Sequence, residues 1–487
     1  MGRTAVVVGA GVSGLGAALT LARQGMAVTI VERDDTPLPS SADEAFAWDR
    51  RGAPQVRHSH ALLARLRNLL RDRHPDVLAA LLAAGATELR FGDDLAPTVT
   101  NYERQPGDDD LVMLACRRTT FEWVLRRAVL AEPGVTLRSG VGVSGFTTAA
   151  DPAADPASGG APRATGVRLS DGAVVEADLV VVAGGRRSAL PEWTASAGGR
   201  TVAEESEDTG IVYYSRFYRL RTDAALPARN GAIGGDLGYL KYGVFVGDNR
   251  TFSITLATST DDGALRPLLD DAAVFERVAA LLPATTAYVD GRAEPITGVH
   301  KMAGLLNRRR HWVTDGEPAL LGVHPLGDAL VCTNPLYGRG CSTGFWHAQL
   351  LADVIAEHPD DVRAQALAHH EATERLIVPW YTAAVAQDAE ARRVAAAILA
   401  GENPDDPEDP KAMMRGILRD GLAPALRTDA VVLRCFLTTL NLLSSPDALL
   451  KDADVGARVF AVWNDRENRP PEPSLGPPRH ELLAAIG

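Results

Sequence analysis

Cysteine is scarce and unpatterned: Cys116, Cys332, Cys341 and Cys435 are the only four, and no two of them show CxxC or zinc-ligand spacing. That excludes a disulfide scaffold and a zinc module, and leaves small buried thiols of a reducing compartment. Positive charge is also short, with 50 Lys and Arg against 62 Asp and Glu for a net charge of −12. Nucleic acid and strongly anionic membranes are therefore poor partners. No apolar run suffices to span a bilayer; the most apolar late stretch, AVVLRCFLTTLNLL at 430–443, is interrupted by Arg434. The chain enters TAVVV directly, with neither a charged n-region nor a cleavage site, so no secretory leader is expected. Internal repeats are lacking too. What remains is 487 residues of ordinary composition, 46% apolar and 23% charged, enough for two or three structural units. The expectation is a soluble, cytoplasmic protein.

The first segment, TAVVVGAGVSGLGAALTLARQGMAVTIVERDD, reads as strand, tight turn, helix, strand. Gly9, Gly11 and Gly14 form GxGxxG: one glycine for the turn, one for approach of a pyrophosphate, one for close helix–strand packing. The helix N-terminus, with Val12 and Ser13, offers free N–H groups and a positive dipole end to phosphate. Glu32, followed by Arg33, ends the second strand where an acid accepts hydrogen bonds from ribose hydroxyls. The pattern specifies an adenine dinucleotide without choosing between FAD and NAD.

The choice of FAD comes from resemblance. MLACRRTTFEWVLRRAVL (113–130) resembles the segment of FAD-dependent hydroxylases in which an arginine opens a helix and reaches the cofactor. Arg118 matches, with Arg117 as a substitute. GVRLSDGAVVEADLVVVAGGRRSAL (166–190) reads as a hairpin with an Asp-Gly turn, then a strand ending in glycines. PALLGVHPLGDALVCTNPLYGRGCSTGFWHAQLLADVI (318–355) looks like the Gly-Asp motif of the same family. There Asp328 would hold the ribityl chain, with Gly327, Pro335, Gly338 and Gly340 close to the cofactor. A helix beginning near Cys341 and Ser342 would point its N-terminus at the flavin's pyrimidine edge, which carries negative charge when reduced. In GAPQVRHSHALLARLRNLL (52–70), Gln55, Arg57, His58 and His60 would line the cofactor or else cap the helix starting near Ala61. No third metal ligand accompanies the two histidines, so no metal site is expected.

Together these pieces, over roughly residues 1–350, resemble the FAD monooxygenases related to p-hydroxybenzoate hydroxylase, and within them the polyene epoxidase branch of secondary metabolism. GIVYYSRFYRL (210–220) is similar to the strand that begins the sheet over the substrate cavity in that branch. The sequence departs from the family's pattern in places: Gly184 replaces an aspartate tied to FAD and nicotinamide binding, Val331 a histidine, Ser342 an asparagine, and His347 an acid. A second GxGxxG, a CxxxxC in the first helix and a WxWxIP motif are absent, which sets disulfide reductases and tryptophan halogenases aside.

The implied fold class is α/β. A discontinuous Rossmann-like FAD-binding domain (1–75, 108–195 and 295–360) carries an antiparallel-sheet substrate domain (76–107 and 196–294). A helical region (361–487) follows, either lidding the substrate side or forming an interface. A Pro/Ala/Gly-rich loop is expected at 148–164. The implied activity is monooxygenation, by epoxidation or hydroxylation of a large apolar substrate through a flavin hydroperoxide. The alternatives are a flavin dehydrogenase or double-bond reductase of the same fold, such as those resembling geranylgeranyl reductase, and a non-catalytic flavin binder. Candidate substrate contacts are Tyr214, Arg216, Tyr242, Phe245 and Trp346, with plain packing as the rival reading of each. No acid–base residue is nominated, because the flavin carries the chemistry. Electrons would come from NAD(P)H or, given Gly184, from a separate flavin reductase.

Overall fold

The computed structural model describes residues 2–93, 95–149, 162–228, 233–469 and 471–487. The small and β-branched residues of TAVVV form the strand Thr4–Val8, buried on both faces from Ala5 onward. Helix Val12–Arg23 returns the chain to a parallel neighbour, Ala27–Glu32, with Val8 opposite Val31. Val135–Ser139 extends the sheet beyond Ala27–Glu32. Leu179–Val182 and then Val323–Pro325 extend it on the other side, with Val8 opposite Val182. All five strands are parallel, which requires long crossovers and buries both faces. It also brings the carboxyl ends of all five strands to one edge. Gly9, Glu32, Gly184 and Gly327 lie at or just past those ends. Open α/β sheets bind their ligands at such an edge.

Antiparallel sheets are inserted between the parallel strands, among them two layers of three or more strands. The first joins Val143–Ala149, Arg163–Leu169 and Val174–Glu176 around the Asp171-Gly172 turn. Of the expected 148–164 loop, residues 150–161 lie outside the described residues, and its ends belong to the flanking strands. The second layer centres on Ile211–Leu220, paired with Thr251–Ser259 from Ile211↔Ser259 to Arg219↔Thr251; Leu240–Val246 continues it. Helix Ala272–Leu281 contributes Val274, Phe275 and Val278 to the core that also holds Tyr214 and Tyr218. A buried ion pair ties this sheet to the cofactor half. Arg117 donates to Asp248 from its backbone N (2.7 Å), Nε (3.0 Å) and Nη2 (2.6 Å).

The C-terminal helices fold back over both halves. Asp388, on helix Val378–Ala400, accepts from Asn307 Nδ2 (2.6 Å), Asn334 Nδ2 (2.8 Å) and the Tyr337 hydroxyl (2.6 Å). The loop after the Gly-Asp motif is thereby pinned to the tail. Helix Ala430–Leu440 runs beside the 62–66 segment, where Asn441 Oδ1 accepts from Ala64 N at 2.9 Å. No helix among the described residues is long and apolar enough to cross a membrane. No cluster among them has the makings of a metal site.

Candidate functional site

At the carboxyl edge of the parallel sheet lies a cavity of about 440 Å³. Two helix N-termini meet there, those of Val12–Arg23 and Gly340–Glu357, and neither has a side-chain cap. Their first N–H groups are therefore free for a ligand. Gly14 is demanded by the packing beneath: a Cβ on it would sit 1.9 Å from the Gly9 carbonyl oxygen. Gly327 is demanded by conformation, with φ of +58°, and by Ser13, whose Oγ would be 2.4 Å from its Cβ.

Of the residues singled out from the sequence, Gly9, Gly11, Val12, Ser13, Glu32, Arg33, Gln55 and His60 line this cavity. So do Arg118, Gly184, Asp328, Pro335, Gly338, Gly340 and Cys341. Gly14 and Gly327 act from beneath it. Ser342 is buried and accepts from Leu63 N at 3.1 Å. Arg57 does not line the cavity but points outward to Asp49, at 2.9 Å. His58 is buried behind the wall, its Nδ1 at 3.1 Å from Ser215 Oγ. Arg117, the substitute for Arg118, is held by Asp248.

A buried line of alternating charges runs along the wall. Glu32 accepts from Ala10 N (2.8 Å) and Asp34 N (3.0 Å). Asp34 pairs with Arg50 Nη1 at 2.6 Å, and Arg50 Nε donates to Glu122 Oε1 at 2.7 Å. Arg118 holds the other Glu122 oxygen from Nε (3.0 Å) and Nη2 (2.9 Å), and its Nη1 reaches Cys341 Sγ at 2.8 Å. Burial opposes the Glu122 charge, but Arg50 and Arg118 outweigh it and hold that carboxyl below its ordinary value. Arg50, Asp34 and Glu122 escaped the sequence reading. Glu122 carried a signal, since it stands four residues after Arg118 on one helix; Arg50 and Asp34 carried none.

Asp328 is pushed up by burial while Arg118, Arg186 and Arg308 pull it down, and burial prevails. His60 is pushed down to about 3 by burial and by Arg118. It is therefore neutral, with Nδ1–H donating to the His58 carbonyl at 2.9 Å and Nε2 left as an acceptor. Behind the Gly-Asp loop, His347 Nδ1 accepts from Gly327 N at 3.1 Å, and Nε2–H donates to Thr373 Oγ1 at 2.9 Å. The imidazole supports the loop as a neutral ring, pushed down to about 3 by burial.

A dinucleotide fits the donor set. Apart from the adjoining backbone, no protein atom lies within 4 Å of where a Cβ would stand on Gly11 or Gly340, so the backbone there is open to a ligand. The buried Ser188 hydroxyl, on the cavity wall, has no partner among the described residues. Arg118, Asp328 and Glu32 would hold phosphate, ribityl and ribose groups respectively.

A second cavity, about 530 Å³ and mainly apolar, adjoins the first, and His60 and Gly338 line both. Its walls include Leu63, Phe91, Met113, Phe245, Leu336, Phe436 and Leu440. Phe245 is the one proposed substrate contact found there. Tyr214, Arg216 and Tyr242 lie on the opposite face of the antiparallel sheet, because alternate residues of a strand face opposite ways. Their side chains bond to the Arg266 carbonyl, Glu276 and the Leu475 carbonyl. Trp346 packs in the helix core, with the Arg65 guanidinium 4.6 Å from its ring centre.

Comparison with known proteins agrees with this fold. Residues 4–48 match the model of the pyridine nucleotide-disulphide oxidoreductase family. The chain is 28% identical over 495 residues to Protein Rv3254 of Mycobacterium tuberculosis, covering 96% of each chain. Among solved structures it is similar to pqsL, described as a probable FAD-dependent monooxygenase from Pseudomonas aeruginosa. Identity there is 15%, the TM-score is 0.55, and 82% of this chain and 96% of that one are covered. It is also similar to OxyS, the anhydrotetracycline hydroxylase from Streptomyces rimosus, at 17% identity and a TM-score of 0.55, covering 91% and 76%. The flavin-dependent brominase Bmp2, as a triple mutant, aligns over 96% of this chain and 100% of its own at 15% identity and a TM-score of 0.55. The chain has the fold of the FAD-dependent oxidoreductases.

Proposed function

We propose that the protein is an FAD-dependent monooxygenase that inserts one oxygen atom into a large apolar substrate, by epoxidation or hydroxylation. The observation that carries this reading is the junction of the two cavities at His60 and Gly338. A dinucleotide laid along the first cavity would bring its ring to that junction, and the second offers a water-poor space for an apolar partner. Bound FAD supplies the redox chemistry with dioxygen. The chain's own residues bind, orient and exclude water: Arg118 and the two helix ends meet anionic groups, Asp328 holds the cofactor chain, and His60 offers a neutral acceptor at the junction.

For each oxygen atom inserted, the second leaves as water and two electrons are required. Gly184 bears no side chain with which to help place a nicotinamide, so a separate flavin reductase is the proposed source. The polyene epoxidase resemblance favours an alkene as the acceptor.

The test is isotopic. FAD-loaded protein, reduced by a flavin reductase, is given oxygen-18 gas and a panel of apolar alkenes and arenes, and products are read by mass spectrometry. A product carrying one heavy oxygen is expected. If FAD is bound and all consumed oxygen appears as hydrogen peroxide or water across the panel, the reading fails in favour of a dehydrogenase or reductase.

A further inference from the structure

Among the described residues, the wall of the apolar chamber carries permanent charge of one sign. Among the described residues of its wall there is no carboxylate, and the only permanent charges are Arg90 and Arg427. In a chain of net charge −12 that bias calls for a cause. Arg427 lies away from His60. Arg90 precedes Phe91, and Arg434 of helix Ala430–Leu440 sits 5.1 Å above that ring. Arg427 lies just before the same helix, its carbonyl accepting from Thr98 Oγ1. The helix's other end reaches Asn441, beside Ala64 and thus beside the His60 segment. Its 11 residues rise roughly 16 Å, and Arg427 and Asn441, which flank it, both line the chamber.

The arginines differ in what they already hold. Arg90 is paired with Glu88. Arg427 donates to two backbone carbonyls, those of Ala423 (3.3 Å) and Pro471 (3.5 Å). It joins no ion pair among the described residues. Burial pulls its pKa down and Glu472 only partly opposes this, so its charge is held at a cost that an arriving anion would relieve.

We propose that the chamber takes an elongate apolar carboxylate, roughly 15 Å long, with its carboxylate paired to Arg427 and its other end beside His60 and Gly338. What happens at the inner end rests on the oxygen-transfer reading above; the preference for an anion at the outer end does not.

Titration of the FAD-loaded protein with a fluorescent long-chain carboxylate, and with the alcohol and amine of the same body, reads that preference. At low salt the carboxylate is expected to bind about tenfold tighter than the alcohol, and the amine weakest. Arg427→Gln is expected to remove the advantage while leaving alcohol binding within about twofold, and Arg427→Lys to restore most of it. Equal binding of the three probes, tightest binding of the amine, no binding at all, or an advantage intact in Arg427→Gln would each overturn the proposal. Should Arg427→Gln fail to fold, salt decides with the unaltered protein. The carboxylate's advantage is then expected to shrink several-fold on raising salt from about 0.05 to about 0.5 M. An advantage indifferent to salt contradicts the pairing. A carboxylate that binds with this preference yet receives no oxygen counts against the monooxygenase reading alone.

Discussion

Asp328 and Glu122 show what a residue's neighbours reveal and hide. Asp328 was legible through the resemblance of its contiguous segment to the Gly-Asp motif of the FAD-dependent hydroxylases. Glu122 organises Arg50 and Arg118 across 72 residues of chain, and that contact exists only after folding. Of the five candidate substrate contacts, Tyr214, Arg216, Tyr242 and Trp346 lie outside the chamber's lining, and for the strand residues the reason is related. Aromatics along Ile211–Leu220 are visible in sequence, but the face of the sheet that meets the chamber is set by register against Thr251–Ser259. Asp328→Ala removes a charged acceptor from the proposed ribityl contact. It is expected to weaken FAD retention about ten- to a hundredfold, measured by fluorescence titration of the apoprotein. Retention equal to the unaltered protein would take Asp328 out of the site.

Among the elements, the strand–turn–helix start was readable in full, since strand, glycines, helix and acid are contiguous. The C-terminal helices were not. Their composition announced helix, but the choice between lid and interface depends on where Ala430–Leu440 docks, and that is fixed by Asn441 and Ala64, which are 377 residues apart. The turn after Leu179–Val182 allows a clean experiment. Gly184 has an ordinary backbone φ of −71°, and a Cβ there would come no nearer than 3.4 Å to Ser188. Gly184→Asp is therefore sterically tolerated, and the unpartnered Ser188 hydroxyl stands ready to donate to the new carboxylate. The unaltered protein is expected to be reduced slowly by NADPH alone, and the variant at least several-fold faster, as seen by anaerobic flavin bleaching. Rapid, saturable bleaching of the unaltered protein would remove the need for a separate reductase.

On the scale of the whole molecule, three buried histidines join the parallel sheet to the tail. His347 and His369 stack with ring centres 4.9 Å apart, and His324 lies 5.6 Å from His369. Burial pushes His347 down to about 3, His324 down to about 4 and His369 well below its ordinary value. In the unfolded chain all three take up protons near pH 6.5, whereas the folded chain leaves them neutral. Stability is therefore full above about pH 7 and falls as pH drops through 6.5 toward 4, by up to about 1.4 kcal/mol per pH unit for each histidine. Urea midpoints measured between about pH 7.5 and 5 are expected to decline steeply below about 6.5; a flat profile would mean that these rings are not held neutral.

A monooxygenase must handle oxygen at the junction of the two cavities. Reduced, FAD-loaded protein mixed rapidly with oxygenated buffer, with flavin absorbance followed from milliseconds onward, examines this directly. A two-stage return to the oxidised spectrum is expected, with a distinct and lasting first stage that shortens when an apolar ligand fills the chamber. Slow return in a single phase, unaffected by any apolar ligand, would contradict it.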